Sequence, residues 1–320
     1  MEHRHLGRSG LTVSRIGLGT MTWGGETDSH EAADQLTAFL DAGGSLVDTA
    51  PLHGDGLAEE ILGALLAKDV GRDDVVLATK AGLHRRGTRT VVDTSRRALL
   101  DTLDASLARL DTDHVDLWQV HVHSDATPLE ETLSALDYAV ATGRARYVGV
   151  SNFAGWQLSR AVTLQERSPA YAAVVADQVE YSLLERRAER EVVPAAEALG
   201  VGVLAWSPLG RGVLTGKYRH GTPADSRGAS ARYSSFVEGY LDAPSRRIVD
   251  AVATAADGLG CSPLDVALAW VRDRPGVAAA IVGARTAAQL RASLGAEAVA
   301  LPAEIAAALD DVSLGTRDRA

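Results

Sequence analysis

Leu46–Gly63 reads LVDTAPLHGDGLAEEILG. The apolar pair Leu46-Val47 runs into an acid, Asp48, and a short Pro/Gly loop follows. Beyond it the pattern turns helical, with Glu59 and Glu60 in the first turn, where acidic side chains meet the positive end of the helix dipole. Strand, loop and helix in that order form the unit from which parallel sheets are built. The same order recurs along the chain. SRIGLGT (14–20), SLVDTA (45–50), VVLATK (75–80), VDLWQV (115–120), ARYVGV (145–150), VVADQVEY (174–181), VGVLAWS (201–207) and AAAIVG (278–283) make eight strand-like runs.

Amphipathic helical patterns separate them, such as HEAADQLTAFLDAG (30–43) and TPLEETLSALDYAVATG (127–143). In the second, Thr127 stands as N-cap, Pro128 in the first turn, acids follow, and Gly143 closes the helix. Eight β/α units with right-handed crossovers predict a single-domain (β/α)8 TIM barrel over residues 1–320. A leading β-hairpin (HRHLGRSGLTVS, 3–14), a long loop at 208–243 and an extra C-terminal helix account for the remainder. A doubly wound sheet is the rival fold, and it ordinarily carries G-x-G-x-x-G after its first strand. Here that place reads GLGTMTWG (17–24), which lacks the third glycine. GRGVLTGKY (210–218) is not a phosphate loop of the Mg²⁺-nucleotide kind, because Tyr218 occupies the Ser/Thr position.

A net charge of -10 argues against nucleic acid and anionic membrane as partners, since both require basic patches. One cysteine, Cys261, excludes an intrachain disulfide and suits a reducing compartment. No run of 18 apolar residues occurs, so the expected location is cytoplasmic and unanchored. Of the 32 basic residues only three are lysine: Lys68, Lys80 and Lys217. A lysine can have its pKa shifted by burial, whereas arginine stays charged, so Lys80 and Lys217 draw attention. Lys68 fits the solvated face of a helix.

Active sites of (β/α)8 barrels lie at the C-terminal ends of the strands. Those ends present Asp48, Lys80, His121, Ser151-Asn152, Gln178 and Glu180, Trp206-Ser207, and Gly283 with Arg285. Taken singly, each has a structural reading: Asp48 as a helix cap, Lys80 as a surface lysine, His121 as a hydrogen-bonded core histidine, Trp206 as packing. Together they place an acid, a lysine and a histidine at one mouth. A buried Asp–Lys pair tunes a neighbouring proton donor, and a histidine orients a carbonyl oxygen or supplies a proton.

These phrases resemble the aldo-keto reductases over nearly the whole chain: LGRSGLTVSRIGLGTMTWG, VDTA..HG.G.AEEILG, VVLATK, VDLWQVH....TPLEETL, YVGVSNF, DQVEYSLL, AWSPLGRGVLTGKY and IVGARTAAQL. The resemblance implies a (β/α)8 barrel that binds NADPH (NADP+) without a Rossmann fold and passes hydride to an aldehyde or ketone of a small molecule. It implies catalytic roles for Asp48, Lys80 and His121. Ser151, Asn152 and Gln178 match groups that hold the nicotinamide carboxamide, and Trp206 matches the aromatic on which that ring stacks. Ser207, Leu209, Arg211, Gly212 and Lys217 match a loop over the pyrophosphate. Gly283, Arg285 and Gln289 match the adenosine and 2′-phosphate site, with Ser293 beside them. Gly19 and Thr20 are implied cofactor contacts, and Trp23 and Trp118 implied walls of the substrate pocket.

Two positions depart from the family. The catalytic tyrosine is replaced by His53, and Ala292 and Ser293 stand where an acid or amide pair usually holds adenine. Three readings of His53 follow. It donates a proton or hydrogen bond itself, with an acid-shifted pH optimum if it works as the imidazolium. Alternatively, the barrel binds NADPH but reduces weakly or not at all, as a binding or regulatory module. A remote third reading is a metal-dependent hydrolase, with His121 and His123 on one strand face beside His53 and Asp48.

Overall fold

The computed structural model describes residues 1–68, 70–87, 89–224, 226–230 and 234–314. In chain order the elements are β1 (His3–His5), β2 (Thr12–Ser14), β3 (Ile16–Gly19), α1 (Ser29–Asp41), β4 (Leu46–Asp48), α2 (Leu57–Lys68), β5 (Val76–Ala81), β6 (Leu83–Arg86), β7 (Arg89–Val92) and α3 (Arg96–Leu110). There follow β8 (Val115–Val120), α4 (Leu129–Ala141), β9 (Ala145–Ser151), α5 (Gly155–Gln165), β10 (Val174–Glu180), α6 (Val192–Leu199) and β11 (Gly202–Trp206). The chain ends with α7 (Ser234–Glu238), α8 (Ala243–Leu259), α9 (Pro263–Arg272), β12 (Val277–Val282), α10 (Ala287–Gly295) and α11 (Ala303–Ser313).

The eight strand-like runs all become strands of one closed parallel barrel, in the order β3-β4-β5-β8-β9-β10-β11-β12 and back to β3. Every neighbouring pair is parallel, because a helix returns the chain to the same end before each new strand. Alternation then divides each strand between an inward and an outward set. Leu46, Ala78, Leu117, Ala176 and Leu204 point inward as one buried cluster, and Ile281 joins them. Two residues further along the same strands, Asp48, Lys80, Gln119 and Gln178 form a polar layer above that apolar floor.

The leading hairpin β1–β2 plugs the opposite end. Leu6 and Val13 are fully buried in the same cluster as the barrel floor. Gly7 makes the fit possible: it has φ +59°, and a Cβ there would lie 2.4 Å from the carbonyl oxygen of Gly200. The extra C-terminal helix is α11, with Leu309 buried against the core. Among the described residues no helix is long and apolar enough to cross a membrane.

Three local features differ from the sequence reading. Pro128, not Thr127, occupies the cap of α4, with no side-chain cap bond. The first turn is instead held by Glu131 N–H donating to the Pro128 carbonyl. A second hairpin, β6–β7, rises from the end of β5. Its two strands lie in a polar, arginine-rich stretch that carries no apolar alternation. The long loop contains, among its described residues, tight helical turns at Gly210–Thr215 and Arg227–Ala229 and the short α7.

One outward residue conflicts with its surroundings. Asp177, between Ala176 and Gln178 on β10, is fully buried, and neither carboxylate oxygen has a hydrogen-bond partner among the described residues. Burial pushes its pKa up to about 8, only weakly opposed by the nearby Phe153 backbone N–H, which does not complete a hydrogen bond to the carboxylate. The unfolded chain loses this proton near pH 4, while the folded chain holds it to about pH 8. The unfolded state therefore binds fewer protons between those values, and stability falls as pH rises through that window. Replacing Asp177 with Asn should remove this slope. Denaturation midpoints at pH 5 and pH 8 should show the variant gaining about 3–4 kcal/mol on the parent over that interval. Parallel stability curves for the two proteins would refute the assignment.

Candidate active site

The polar layer at the barrel mouth is organised by one ion pair. Lys80 Nζ donates to both oxygens of Asp48, at 2.7 and 2.6 Å, and to the Thr49 carbonyl at 3.1 Å. Both residues are at least 95% buried, so bulk water screens the pair little. Asp48 also accepts from Gln178 Nε2 at 2.8 Å and from Gln119 Nε2 at 3.5 Å. The carboxylate thus receives donors from β5, β8 and β10 while sitting at the end of β4. A buried ion pair is tolerated only when its remaining lone pairs are satisfied in this way. The solvated-lysine and helix-cap readings of Lys80 and Asp48 do not hold, whereas Lys68 is exposed on α2.

The loop carrying His53 is fixed on both sides. Glu59, fully buried in the first turn of α2, accepts from Thr79 Oγ1 at 2.6 Å and pairs with Arg109 at 2.6 Å. Gly54 adopts φ +59°, and a Cβ there would lie 2.8 Å from the Trp23 carbonyl, so only glycine lets the turn settle on the β3–α1 loop. His53 lines the cavity with part of its ring open to it, and Nδ1 lies 3.2 Å from Thr20 Oγ1. Desolvation, then the Lys80 cation, then His121, hold the His53 imidazole well below its ordinary pKa. His121, at the end of β8, is pushed down to about 3 by desolvation and then by Lys80. The site therefore carries one paired cation and two neutral imidazoles at neutral pH.

These groups open into a cavity of about 510 Å³ that runs along the barrel top. Its wall includes Gly19, Asp48, His53, Lys80, His121, Ser151, Asn152 and Gln178 at the strand ends. Trp206, Ser207, Leu209, Arg211, Gly212 and Lys217 continue it, and Gly283, Arg285, Gln289 and Ser293 close the far side. Asn152 (φ +57°) and Ser207 (φ +51°) hold left-handed backbone at the rim, a conformation costly for non-glycine residues. Asn152 donates to the His121 carbonyl at 3.0 Å and accepts from Trp206 Nε1 at 3.0 Å, which fixes the indole beside the cavity. Ser151 Oγ donates to the Gln178 carbonyl at 2.7 Å. Gln289 Oε1 accepts from the Arg285 backbone N–H at 3.0 Å and so shapes the turn before α10.

Not every sequence-predicted residue reaches this wall. Trp23 and Trp118 are wholly buried and do not line the cavity. Trp118 lies between inward-facing Leu117 and Gln119, so its side chain faces the helices, while Trp23 donates to Gln35 Oε1 at 3.0 Å beneath the first loop. Thr20 is also fully buried, its hydroxyl turned toward Thr49 and His53. Arg211 reaches the wall, but its guanidinium is bound in fork fashion by Glu180 at 2.9 and 2.8 Å and lies 3.9 Å from the Phe236 ring centre. His121 and His123 lie past the end of β8, so strand alternation does not govern them. His123 turns to Phe153 and Trp156, away from the cavity. No group of three or more metal-ligating side chains occurs among the described residues. Sequence reasoning missed Met21, Thr215, Arg227, Phe236 and Leu264 as wall residues. Thr215, Arg227 and Phe236 reach the wall through the fold of the long loop, whereas Met21 comes from the loop after β3 and Leu264 from the first turn of α9.

Comparison with known proteins agrees with this geometry. Residues 15–314 match the Aldo/keto reductase family. The chain is 38% identical over 324 aligned residues to a Bacillus subtilis (strain 168) protein named "Uncharacterized oxidoreductase YrpG", covering 98% of this chain and 97% of that one. It is 34% identical over 302 residues to "Aldo-keto reductase YhdN" of the same organism, covering 91% and 87% of the two chains. It is 37% identical over 289 residues to a "Probable voltage-gated potassium channel subunit beta" of Oryza sativa subsp. japonica, covering 89% and 87%.

The energetics of the ion pair can be read directly. Lys80→Met strands a buried carboxylate and should destabilise the fold by about 3–5 kcal/mol. Asp48→Asn with Lys80→Met should cost clearly less than the two single changes summed. Additive losses in denaturation experiments would show that the two charges do not depend on each other.

Proposed function

The chain belongs to the aldo/keto reductase family, and from that premise we propose that it is an oxidoreductase transferring hydride between NADPH and the carbonyl carbon of a small aldehyde or ketone. The observation that carries this reading is the buried Asp48–Lys80 pair standing under two neutral imidazoles at the open end of a long cavity. The fit of a dinucleotide rests on the wall itself. Side-chain amides and a hydroxyl (Asn152, Gln178, Ser151) stand beside the Trp206 indole, and cationic Lys217, Arg227 and Arg285 stand further along. Gly212 and Gly283 border the same space without side chains, and a Cβ at Gly212 would lie 3.2 Å from Lys217 Nζ. Arg285 suits a 2′-phosphate, which needs a cation.

When bound, NADPH supplies the hydride. The protein's part is orientation and electrostatics. His121 and His53 offer two imidazoles to a carbonyl oxygen, and N–H donation from either polarises the carbon toward attack. Lys80 contributes a nearby positive field that favours negative charge developing on that oxygen. Because His53 is neutral near pH 7, it acts by hydrogen bonding, and the proton that completes the alcohol enters from water. Arg211, clamped by Glu180, holds the loop beside the cavity, and Lys217, Arg227 and Arg285 add positive charge along the same wall.

A second reading has a specific observation behind it. Burial, and then the Lys80 cation, keep His53 from being a proton source, and one relative bears the name of a potassium channel β subunit. A barrel that binds NADPH and turns over slowly, as a binding or regulatory module, fits both facts. His53→Tyr separates the readings: a large rise in aldehyde reduction favours the slow module, and a fall favours His53 as a working group.

Titrating tryptophan fluorescence with NADPH and NADH should show quenching of Trp206, with NADPH tighter by about tenfold or more. That difference should vanish in Arg285→Ala, and equal affinities in the parent would overturn the 2′-phosphate assignment. Both histidines titrate below the usual range, so kcat should be flat from about pH 6 to 8. A decline with a midpoint near 6.5 would mean that His53 works as the imidazolium.

A further inference from the structure

The phenol that the family places at position 53 has one oxygen. Imidazole has two nitrogens, and a neutral ring carries its proton on only one of them. A histidine in this position is a donor to the cavity only if the proton sits on the cavity-facing nitrogen. Something must decide which, and the structure places a candidate behind the ring.

His53 Nδ1 lies 3.2 Å from Thr20 Oγ1, and Thr20 Oγ1 lies 2.8 Å from Thr49 Oγ1. Thr20 and Thr49 are both fully buried, and neither borders the cavity. They follow β3 and β4, whose last residues, Gly19 and Asp48, are register partners, so the two hydroxyls are stacked by the barrel itself. Water does not reach this column. Each hydroxyl has one hydrogen to give. The Thr20–Thr49 contact can be donated from either side, because a hydroxyl hydrogen rotates to suit its partners. Donated by Thr20, it leaves the Thr49 hydrogen with no acceptor among the described residues; donated by Thr49, it satisfies both hydroxyls and frees the Thr20 hydrogen. The Thr20 hydrogen then has two acceptors, His53 Nδ1 at 3.2 Å and the Asp48 carbonyl at 3.3 Å. The Asp48 carbonyl already accepts the Thr20 backbone N–H at 3.0 Å, whereas Nδ1 has Thr20 Oγ1 as its one partner among the described residues.

We infer that Thr20 is a positioning residue for His53: its buried hydroxyl, supplied by Thr49, donates to Nδ1 and holds the ring as the Nε2–H tautomer facing the cavity. The chain of donors runs Thr49 to Thr20 to His53, and it ends on an N–H at the place where a carbonyl oxygen is to be polarised. The catalytic meaning of that N–H rests on the reductase reading above. The tautomer itself does not, and it can be read without cofactor or substrate.

The test is ¹H–¹⁵N long-range NMR of the histidine-labelled full-length protein without ligand, with the His53 signals identified by their loss in His53→Gln. The parent should show Nε2 protonated and Nδ1 bare through about pH 6 to 8. Thr20→Val keeps the shape and removes the donor, and the His53 ring should move to a mixture or to the Nδ1–H form. Thr20→Ser restores the hydroxyl and should restore the parent pattern. In turnover with a simple aldehyde, Thr20→Val should lower kcat by about tenfold with little change in KM, and Thr20→Ser should stay close to the parent. Nδ1–H in the parent, or an unchanged Nε2–H signature in Thr20→Val, overturns the inference. The predicted tautomer pattern in a protein that reduces no aldehyde upholds the Thr20 assignment and overturns the reductase reading instead.

Discussion

The architecture of the mouth depends on keeping one charge pair out of water. Asp48 and Lys80 come from adjacent strands, and burying them requires that every remaining lone pair and proton be answered. Gln119 and Gln178 face inward from β8 and β10 for that reason, above a floor made of Leu46, Leu117, Ala176 and Leu204. The pair draws donors and acceptors from half of the barrel and so fixes the relative heights of its strand ends. The same buried cation then sets the protonation of whatever stands next to it. Burial of the two rings, and after it the neighbouring Lys80 cation, keep His53 and His121 neutral.

That coupling makes a histidine at position 53 consequential. A phenol beside a lysine is made more acidic by the neighbouring positive charge, because its charged form is an anion. An imidazole beside the same lysine is driven the other way, because its charged form is a cation. The electrostatic arrangement that suits a tyrosine therefore converts a histidine from a proton source into a hydrogen-bond donor. Thr20 and Thr49 then gain a role that a phenol does not ask of them, since only the histidine has a tautomer to choose.

Much of the fold was legible because β/α alternation repeats and the loops are short. Asp48, Lys80 and His121 were legible because ionisable groups rarely end apolar strands. Other features were not, for identifiable reasons. The strands are covered on both faces, so their hydrophobicity does not reveal which residues point inward. Trp118 was assigned to the pocket although Gln119 holds that face. Trp23 turned under its loop because Gln35 on α1 offers its indole N–H a buried acceptor. Asp177 sits in an apolar run where nothing in the sequence announces an unpartnered carboxylate. Arg211 looked like a loop cation, but Glu180 lies across from it in space and binds it. Thr127 looked like a cap, but Pro128 closes the turn. The long loop hid Thr215, Arg227 and Phe236 from view, because its path turns on left-handed backbone at Arg211 and Gly212.

The account stands or falls on whether this mouth moves hydride. The direct measurement is incubation of the purified protein with NADPH deuterated at the reactive ring carbon and a simple aldehyde, followed by mass analysis of the alcohol. One deuterium on the carbinol carbon is the predicted result. Tight binding of the nucleotide with no label in the product would contradict it and would leave a barrel that holds the cofactor without using it.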